Sequence, residues 1–417
     1  MKMLFENSLA LARQLDQADP LRSYRDRFYI PERNGKPLIY FCGNSLGLQP
    51  KTARQALDHE LTIWQQHGVE GWFEGQNPWL TIHQRCKEPL AQIVGANPSE
   101  VCPMNNLTVN LHLLLTSFYQ PTGNRTKILT IGGDFPSDQY ALETHIRTRG
   151  LKPEETLVEV FPRTNEHTWQ TTDILDAIEL HRDSLALVLM SGLHYYTGQV
   201  FDMAAIAQKA HQIGVPIGFD LAHAVGNVPL RLHDWDVDFA SWCSYKYLNS
   251  GPGGVSGIFV HEKHHAAALP RLAGWWGHDE ARRFEMTKGF RPMPGADGWQ
   301  LSTPTVLAMA VHHAALQITA EAGLEALRRK SELLTGFLDF VLRETAGLQI
   351  ITPANAAERG CQLSLLINHD GKTVFNRLTE QGIIGDWREP DCVRLAPAPL
   401  YNSFEEVWRV GQAFASS

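Results

Sequence analysis

The stretch Ser241 to Gly254 reads SWCSYKYLNSGPGG, and it indicates where a buried strand meets an open turn. The residues just before it, from Phe239 onward, are apolar and aromatic, which is typical of a strand inside a sheet. Tyr245 and Lys246 stand at the expected end of that strand, and proline and glycine follow them. The stretch therefore predicts a lysine amine at a strand end, beside backbone that a ligand can approach closely.

A lysine in such a position can form an imine with a carbonyl compound, provided that its amine is uncharged. The alternative is an ordinary solvated surface lysine. The segment alone does not decide between the two, so the rest of the chain has to be considered.

Composition limits the class of protein. The chain has 417 residues, more than a single core accommodates, and 43% of them are hydrophobic, so we expect two or more globular domains. The net charge is -8 and no basic block interrupts the mixture of signs, which argues against a nucleic-acid partner.

Targeting signals and cysteine spacing favour the cytosol. Glu6 and Asn7 interrupt the apolar run near the N-terminus, so no signal-peptide core forms. The longest apolar run, near residues 185–190, is far too short to span a membrane. Six scattered cysteines form no C-x-x-C pair, which indicates reduced thiols. We expect a cytoplasmic protein with no membrane partner.

The order of the expected elements predicts an α/β fold with three parts. Residues 1–50 form an arm that packs with the small domain, 51–303 a large domain and 304–417 a small α+β domain. In the large domain, apolar strands alternate with helices, which predicts a mostly parallel sheet covered on both faces, with strands at 127–131, 157–160, 185–190, 216–220, 239–245 and 255–260. The small domain is expected to begin with a helical stretch over 304–345, followed by strands at 348–352, 361–367 and 392–396 and helices from 373 and 404.

Chemically useful side chains follow several of these strands, at the sheet edge where ligands bind. They are Phe135, Ser137, Asp138, Asp220, His223, Tyr245 and Lys246. Asn106 and Thr108 precede a helix whose free N–H groups could bind a phosphate. Together these are the parts of a pyridoxal phosphate site: Lys246 forms the imine, Asp220 keeps the pyridine nitrogen protonated and Phe135 stacks on the ring, while His223 orients the carboxylate or the ring. Taken singly, each could instead be a helix cap or a core side chain.

Motifs in the same order make the chain similar to one family. Between Phe41 and Phe404 it contains FCGNSLGLQP, NNLTVNLHLLL, FPSD, SGLHYYTGQ, DLAHAVGN, SWCSYKYLNSGPGG, GWWGH and DWREPDCVRLAPAPLYNSF. In these it resembles the kynureninase family of aminotransferase-like (fold type I) pyridoxal phosphate enzymes. The resemblance implies a large domain with a sheet of the seven-stranded type. It also implies hydrolysis of L-kynurenine to anthranilate and L-alanine in tryptophan breakdown. Whether the product feeds catabolism, signalling or NAD biosynthesis stays open.

The resemblance also implies roles for individual residues. The phosphate would lie near Leu107, Thr108, Tyr245, Trp275 and Thr303, the last two reaching across a homodimer interface. The ring would lie among Phe135, Pro136, Ser137, Asp138, Ser191, Asp220 and His223. The substrate would contact Asn44, Ser45, Trp72 and Arg394, with Arg394 binding the substrate carboxylate through its planar fork. Taken alone, Arg394 could be a surface ion pair.

Two catalytic residues and one substrate preference follow from the same comparison. Lys246 would remove the Cα proton, and Tyr245 would act as acid and base during hydration and Cβ–Cγ cleavage. The pKa of Tyr245 is expected to fall if cationic neighbours outweigh the phosphate. Animal members have a histidine and an asparagine where this chain has Trp72 and Thr303. We therefore expect a preference for L-kynurenine over 3-hydroxykynurenine.

Three other interpretations fit parts of the sequence. HEKHH at residues 261–265, with Glu285 downstream, matches a zinc hydrolase pattern, but Pro270 soon ends the helix that would have to present both histidines. An aminotransferase or a cysteine desulfurase is the second, although Cys361 and Cys392 lie in apolar strand-like runs. A regulator that only binds the cofactor is the third, and no basic helix-turn-helix segment precedes the fold.

Overall fold

The structure is a computed structural model that describes residues 5–368 and 370–415. Residues 1–4, 369 and 416–417, which the expected arm and small domain include, lie outside the described residues. The described α-helices are α1 (Leu9–Ala18), α2 (Thr52–His67), α3 (Gln84–Val94), α4 (Leu107–Phe118), α5 (Pro136–Thr148), α6 (Pro153–Thr156), α7 (Thr171–Leu180), α8 (Met203–Gln212), α9 (Val306–Ala322), α10 (Leu324–Leu342), α11 (Gly371–Glu380) and α12 (Phe404–Ala415).

The described strands belong to four sheets. They are β1 (Glu32–Arg33), β2 (Lys36–Pro37), β3 (Ile39–Tyr40), β4 (Val101–Pro103), β5 (Lys127–Ile131), β6 (Leu157–Val160), β7 (Leu185–Ser191), β8 (Ile217–Asp220), β9 (Phe239–Trp242), β10 (Gly257–Val260), β11 (Leu348–Ile350), β12 (Leu363–Ile367), β13 (Ile383–Ile384), β14 (Asp386–Arg388) and β15 (Cys392–Leu395).

The largest sheet has seven strands in the order β4-β10-β9-β8-β7-β5-β6. The pairs from β9 to β6 are parallel, whereas β10 runs antiparallel to both β9 and β4. Every residue of β7 is buried, because apolar clusters cover both faces of the sheet. The prediction of a mostly parallel sheet is confirmed, and β4 is a strand that the sequence analysis missed.

A second sheet of four antiparallel strands, in the order β11-β12-β15-β14, forms the centre of the C-terminal region. α10 and α12 pack together, and their apolar residues join this sheet in one core. The N-terminal arm contributes to the same core through α1, which packs on α12, and through β3, which pairs in parallel with β13. The N-terminal arm therefore packs on the C-terminal region, although most of the sequence separates the two.

Two predicted boundaries are wrong. The helical stretch expected over 304–345 is two helices, because Gly323 adopts a φ of 77° and ends α9 before α10 begins. The strand expected to reach Tyr245 ends at Trp242, the last residue of β9 that pairs with β10. Tyr245 and Lys246 therefore lie in a turn beyond the sheet.

Among the described residues, no helix combines the length and the apolar character needed to cross a membrane.

Candidate active site

The carboxyl ends of the parallel strands border a cavity of about 140 Å³. Parallel strands place their carboxyl ends at one edge, so side chains far apart in the sequence converge there. The predicted site residues that line this cavity are Asn44, Ser45, Leu107, Phe135, Asp138, Ser191, Asp220, His223, Tyr245, Lys246 and Arg394.

Lys246 and His223 form a close polar pair in the cavity. Lys246 Nζ lies 2.8 Å from His223 Nε2. Burial, followed by the positive charge of Lys246, lowers the pKa of His223 well below its ordinary value. His223 is therefore neutral at neutral pH and presents a ring nitrogen to the lysine. Its other nitrogen, Nδ1, is buried and has no hydrogen-bond partner among the described residues.

Three buried carboxyl groups, from Asp134, Asp138 and Asp220, line the same cavity. Asp220 ends β8 and accepts a hydrogen bond from the backbone N–H of Ala222 at 2.7 Å. Burial, reinforced by the negative charges of Asp220 and Asp134, raises the pKa of Asp138 well above its ordinary value. Burial also raises the pKa of Asp134 to about 7. The cluster therefore favours protonated carboxyl groups, or a cation placed among them.

Arg394 approaches the cavity from β15 of the smaller sheet, and its side chain is 1% exposed. Its Nη1 donates to the carbonyl oxygen of Tyr195 at 2.6 Å, and its Nη2 forms an ion pair with Asp386. Asp386 also accepts a hydrogen bond from the hydroxyl of Ser45. The N-terminal arm and the smaller sheet thus fix the arginine together.

The arm also contacts the lysine turn directly. The backbone N–H of Gly47 donates to the carbonyl oxygen of Tyr245 at 2.8 Å. A Cβ on Gly47 would lie 2.2 Å from the carbonyl oxygen of Lys246, so no side chain fits there. Asn44 is buried and donates to Gln362 at 3.0 Å. The segment FCGNSLGLQP thus contributes Asn44 and Ser45 to the cavity lining and packs on the lysine turn through Gly47.

Tyr245 is half-buried beside the lysine. Burial raises its pKa, and the neighbouring Cys243 and Asp220 raise it further. The expected effect of cationic neighbours, a lower pKa for Tyr245, does not outweigh the effect of burial in the protein alone. Tyr245 therefore carries its proton at neutral pH. In a reaction it would donate this proton first, as an acid, and only then could it accept one as a base.

Six predicted residues lie outside the cavity lining. Thr108 and Ser137 hydrogen-bond to each other at 2.8 Å, at the starts of α4 and α5, and Pro136 precedes Ser137. Trp72 packs against Trp79 and Trp276. Trp275 is 44% exposed and Thr303 is also exposed. The structure does not bring Trp72, Trp275 and Thr303 to the cavity of the same chain.

The cavity also contains residues that the sequence analysis missed, namely Asp134, Leu193, Tyr195, Ala222 and Arg388. The first accepts hydrogen bonds from the backbone N–H groups of Phe135 and Ser191, which tie two strand ends together. Each of these residues lies in or beside a motif already quoted, so position within a motif was the signal that could have identified them.

The HEKHH segment does not form the helix that a zinc hydrolase requires. Glu262–His264 is a single 3-10 turn, and His265 interacts with the carbonyl oxygen of Val260 at 3.0 Å. His261 instead stacks on His233 near Glu100. Its Nδ1 accepts the backbone N–H of Lys263 at 3.2 Å, so that lone pair is already occupied.

Solved structures of other proteins share this architecture. An apo cysteine desulfurase from Thermococcus onnurineus NA1 superposes with a TM-score of 0.77 at 18% identity, covering 91% of this chain and 94% of its own. The cystine C–S lyase C-DES, in complex with cysteine persulfide, superposes with a TM-score of 0.76 at 19% identity, covering 91% of this chain and 97% of its own. The sheet, with a lysine after β9 and an aspartate ending β8, defines the class as fold type I, the aminotransferase-like architecture of pyridoxal phosphate enzymes.

Sequence comparison then identifies the family within this class. Residues 327–414 match the family described as the kynureninase C-terminal domain. A kynureninase from Flavobacterium psychrophilum is 50% identical over 416 residues, covering 98% of both chains. Kynureninases from Myxococcus xanthus and Xanthomonas oryzae pv. oryzae are 51% and 52% identical, covering 96% to 98% of each chain. The chain belongs to the kynureninase family.

Proposed function

We propose that this protein hydrolyses the Cβ–Cγ bond of L-kynurenine, with pyridoxal phosphate as cofactor, to give anthranilate and L-alanine. The observation that carries the proposal is the single cavity in which Lys246, Asp220 and Arg394 meet. Family membership over almost the whole chain supports the same reaction.

The residues of the cavity suit the cofactor. His223 Nδ1, Asp138 Oδ1 and Ser191 Oγ are buried and lack partners among the described residues, so a polar group can satisfy them. α4 begins at Leu107 with no side-chain cap on its N-terminus, which leaves backbone N–H groups for a phosphate. Asp220 lies among carboxyl groups that favour a cation, such as a protonated pyridine nitrogen. The bound cofactor would accept electrons from the substrate.

Lys246 and His223 are suited to moving the substrate Cα proton. Lys246 Nζ lies at the cavity, 2.8 Å from a histidine that burial keeps neutral. A neutral partner leaves the lysine able to accept a proton without a competing cation beside it. We assign Lys246 as the residue that removes and returns protons at Cα.

Tyr245 and Arg394 have separate tasks. Because burial keeps Tyr245 protonated, it can donate to the ketone oxygen as water adds at Cγ, and accept the proton afterwards. Arg394 is buried and lines the same cavity, where its planar guanidinium suits a carboxylate. The two residues thus act on different groups of the substrate, the ketone and the carboxylate.

The proposed assembly is a homodimer in which each active site is shared. Phe73, Trp275 and Phe284 are 44% to 53% exposed and form an aromatic cluster with ring centroids 5.5 and 6.1 Å apart. Such a cluster is typical of a protein interface. Trp275 and Thr303 would then complete the phosphate site of the partner subunit. We retain the division into residues 1–50, 51–303 and 304–417 and a cytoplasmic location as parts of the proposal.

The proposed substrate preference is for L-kynurenine over 3-hydroxykynurenine. Trp72 and Thr303 are the two positions that depart from the animal members, and neither offers the histidine or asparagine found there. Measured kcat/KM values on both substrates test this preference, and comparable values would refute it.

Anthranilate fluorescence tests the reaction itself. The purified protein with pyridoxal phosphate should release anthranilate from L-kynurenine, and Lys246→Ala should abolish turnover while the fold remains intact by circular dichroism. Lys209→Ala, which removes a lysine of α8 that pairs with Glu179, is the matched control and should keep full activity. A wild-type protein that releases no anthranilate would refute the proposal.

A cysteine desulfurase is the main alternative with the same fold. That reaction needs a mobile, nucleophilic cysteine. Cys361 and Cys392 are fully buried, and burial raises the pKa of Cys361 to about 12 and that of Cys392 to about 11. Such thiols are inert as nucleophiles at neutral pH, which favours the hydrolytic reaction.

A further inference from the structure

Two arginines line the cavity from the smaller sheet, and they share one carboxylate. The antiparallel pairing of β14 and β15 places Asp386 directly opposite Arg394. Arg388 lies two residues after Asp386 in β14, so its side chain leaves the sheet on the same face. Register alone therefore brings two guanidinium groups and one carboxylate together at the edge of the cavity.

The charges in this group do not balance. Asp386 forms ion pairs with Arg388 Nη2, at 3.1 Å, and with Arg394 Nη2. Burial would raise the pKa of Asp386, but Arg394, Ser45 and Arg388 together lower it, so the carboxylate is ionised. Two positive charges against one negative charge leave a net positive charge beside the cavity, which favours an anionic ligand.

The two arginines also have hydrogen-bond donors that lack an acceptor. Arg394 uses Nη1 on the carbonyl oxygen of Tyr195, and both arginines use Nη2 on Asp386. The Nε atoms of Arg388 and Arg394 are buried, and neither has a partner among the described residues. A ligand with two negatively charged acceptor oxygens would satisfy donors from both residues.

We propose that Arg388 is a second substrate-binding arginine, which binds the substrate carboxylate together with Arg394, while Asp386 is a positioning residue that aligns both guanidinium groups. The inference rests on the proposed function, because that function supplies a substrate with a carboxylate. It adds a residue that the sequence motifs did not single out for any role.

A pair of ligands that differ only in the carboxylate tests the contact. L-Kynurenine and kynuramine, which is the same molecule without the carboxylate, are measured as substrate and as competitive inhibitor. Arg388→Gln should lower kcat/KM for L-kynurenine about 10- to 100-fold, mainly through KM, because a charge-assisted hydrogen bond is lost. The inhibition constant of kynuramine should change less than about twofold, since that ligand does not use the bond.

The Arg394→Gln background separates a direct contact from an indirect one. If Arg388 touches the carboxylate, Arg388→Gln lowers kcat/KM further in that background. If Arg388 only aligns Arg394 through Asp386, the second substitution has no further effect, and the proposal is overturned. Equal weakening of both ligands would overturn it as well.

Two controls keep these outcomes distinct from other failures. Arg409→Gln removes an exposed guanidinium that pairs with Glu405, and it should leave both ligands unaffected. Absorbance of the bound cofactor near 420 nm, measured on every variant, shows whether the cavity remains assembled. A wild-type protein that releases no anthranilate would refute the proposed function. An active wild type with an unaffected Arg388→Gln variant would overturn only the role proposed for Arg388.

Discussion

Gly47 is the residue where the smallest change is expected to disturb the site. Its Cβ would meet the carbonyl oxygen of Lys246 at 2.2 Å and Asn249 Oδ1 at 2.3 Å. Gly47→Ala should therefore displace the lysine turn and lower kcat at least about tenfold, because a shift of about 1 Å in catalytic geometry has large effects. Anthranilate release, together with cofactor absorbance, measures the change.

The control for this substitution is Gly35→Ala in the exposed turn between β1 and β2. Gly35 has a φ of 72° and open space around it, so alanine introduces about 1 kcal/mol of backbone strain without a clash. This variant should lose stability but keep kcat. If both variants retain kcat, the contact between the arm and the lysine turn has no role in catalysis.

Asp238 is expected to control the stability of the protein in acid. It accepts hydrogen bonds from His211 at 2.8 Å and from the backbone N–H of Ile217 at 2.7 Å, and pairs with His264 and Lys263. Burial would raise the pKa of Asp238, but the hydrogen bonds from the two histidines and the charge of Lys263 lower it below its ordinary value. Asp238→Asn should therefore lower the free energy of unfolding at pH 7 by about 3 kcal/mol.

The pH dependence of this difference has a definite sign. A depressed carboxyl pKa contributes stability that is complete above the unfolded-state pKa of about 3.9 and is lost as the pH falls through the folded-state value. Urea unfolding should thus show a large difference between wild type and Asp238→Asn at pH 5 to 7, and a smaller one below pH 4. Asp234→Asn, at an exposed pair with Arg231, should change stability by less than about 0.5 kcal/mol. A difference that grows in acid would contradict this account.

The site residues that the large sheet carries could be predicted from the order of strands and turns. Asp220 and Lys246 follow neighbouring strands, so the order of strands and turns was enough to bring them together. Arg394 comes from another sheet, and only its motif revealed it. Arg388 and Tyr195 also lie in motifs, but an arginine at the end of a short polar strand and a tyrosine among aromatic residues show no chemical role before the cavity is assembled.

At the scale of elements, Gly323 separates α9 from α10. Its φ of 77° suits glycine, and a methyl group added at that position would have no neighbouring atom within 4 Å. Gly323→Ala should therefore lower stability by about 1 kcal/mol through backbone strain alone. Gly336→Ala inside α10, where the nearest atom is 3.4 Å away on Phe5, should raise stability by about 0.5 to 1 kcal/mol. Thermal unfolding of the two variants measures both stability changes. A stabilising Gly323→Ala would contradict the assignment of Gly323 as the break between α9 and α10.

Whether a strand could be predicted depended on its length and on how far away in the chain its pairing strand lies. β5, β6 and β7 are strands of four to seven mainly apolar residues, which the sequence located within a residue. β4 has three residues and β13 has two, too few to show any periodicity. β13 also pairs with β3 of the arm, and no local pattern can predict a partner so distant in the chain.

At the scale of the whole molecule, we expect the subunits of the proposed homodimer to meet at the exposed aromatic cluster of Phe73, Trp275 and Phe284. Phe284→Glu should shift the protein from dimer to monomer in sedimentation velocity and weaken cofactor binding about tenfold, because a charge is poorly tolerated in an apolar interface. Leu180→Glu, at another exposed apolar residue at the end of α7, should leave the dimer intact. A monomeric wild type that binds the cofactor fully would contradict the shared site.

The contact between α1 and α12 has a consequence for synthesis. Asp16 accepts hydrogen bonds from the backbone N–H groups of Phe404 and Glu405, and the first of these spans 388 positions of the chain. Since a ribosome releases the chain in order, the first helix emerges long before the amides that it caps. Until α12 has been synthesised, the apolar face of α1 therefore lacks this native partner, and in this interval the nascent chain is most exposed to chaperones and to aggregation.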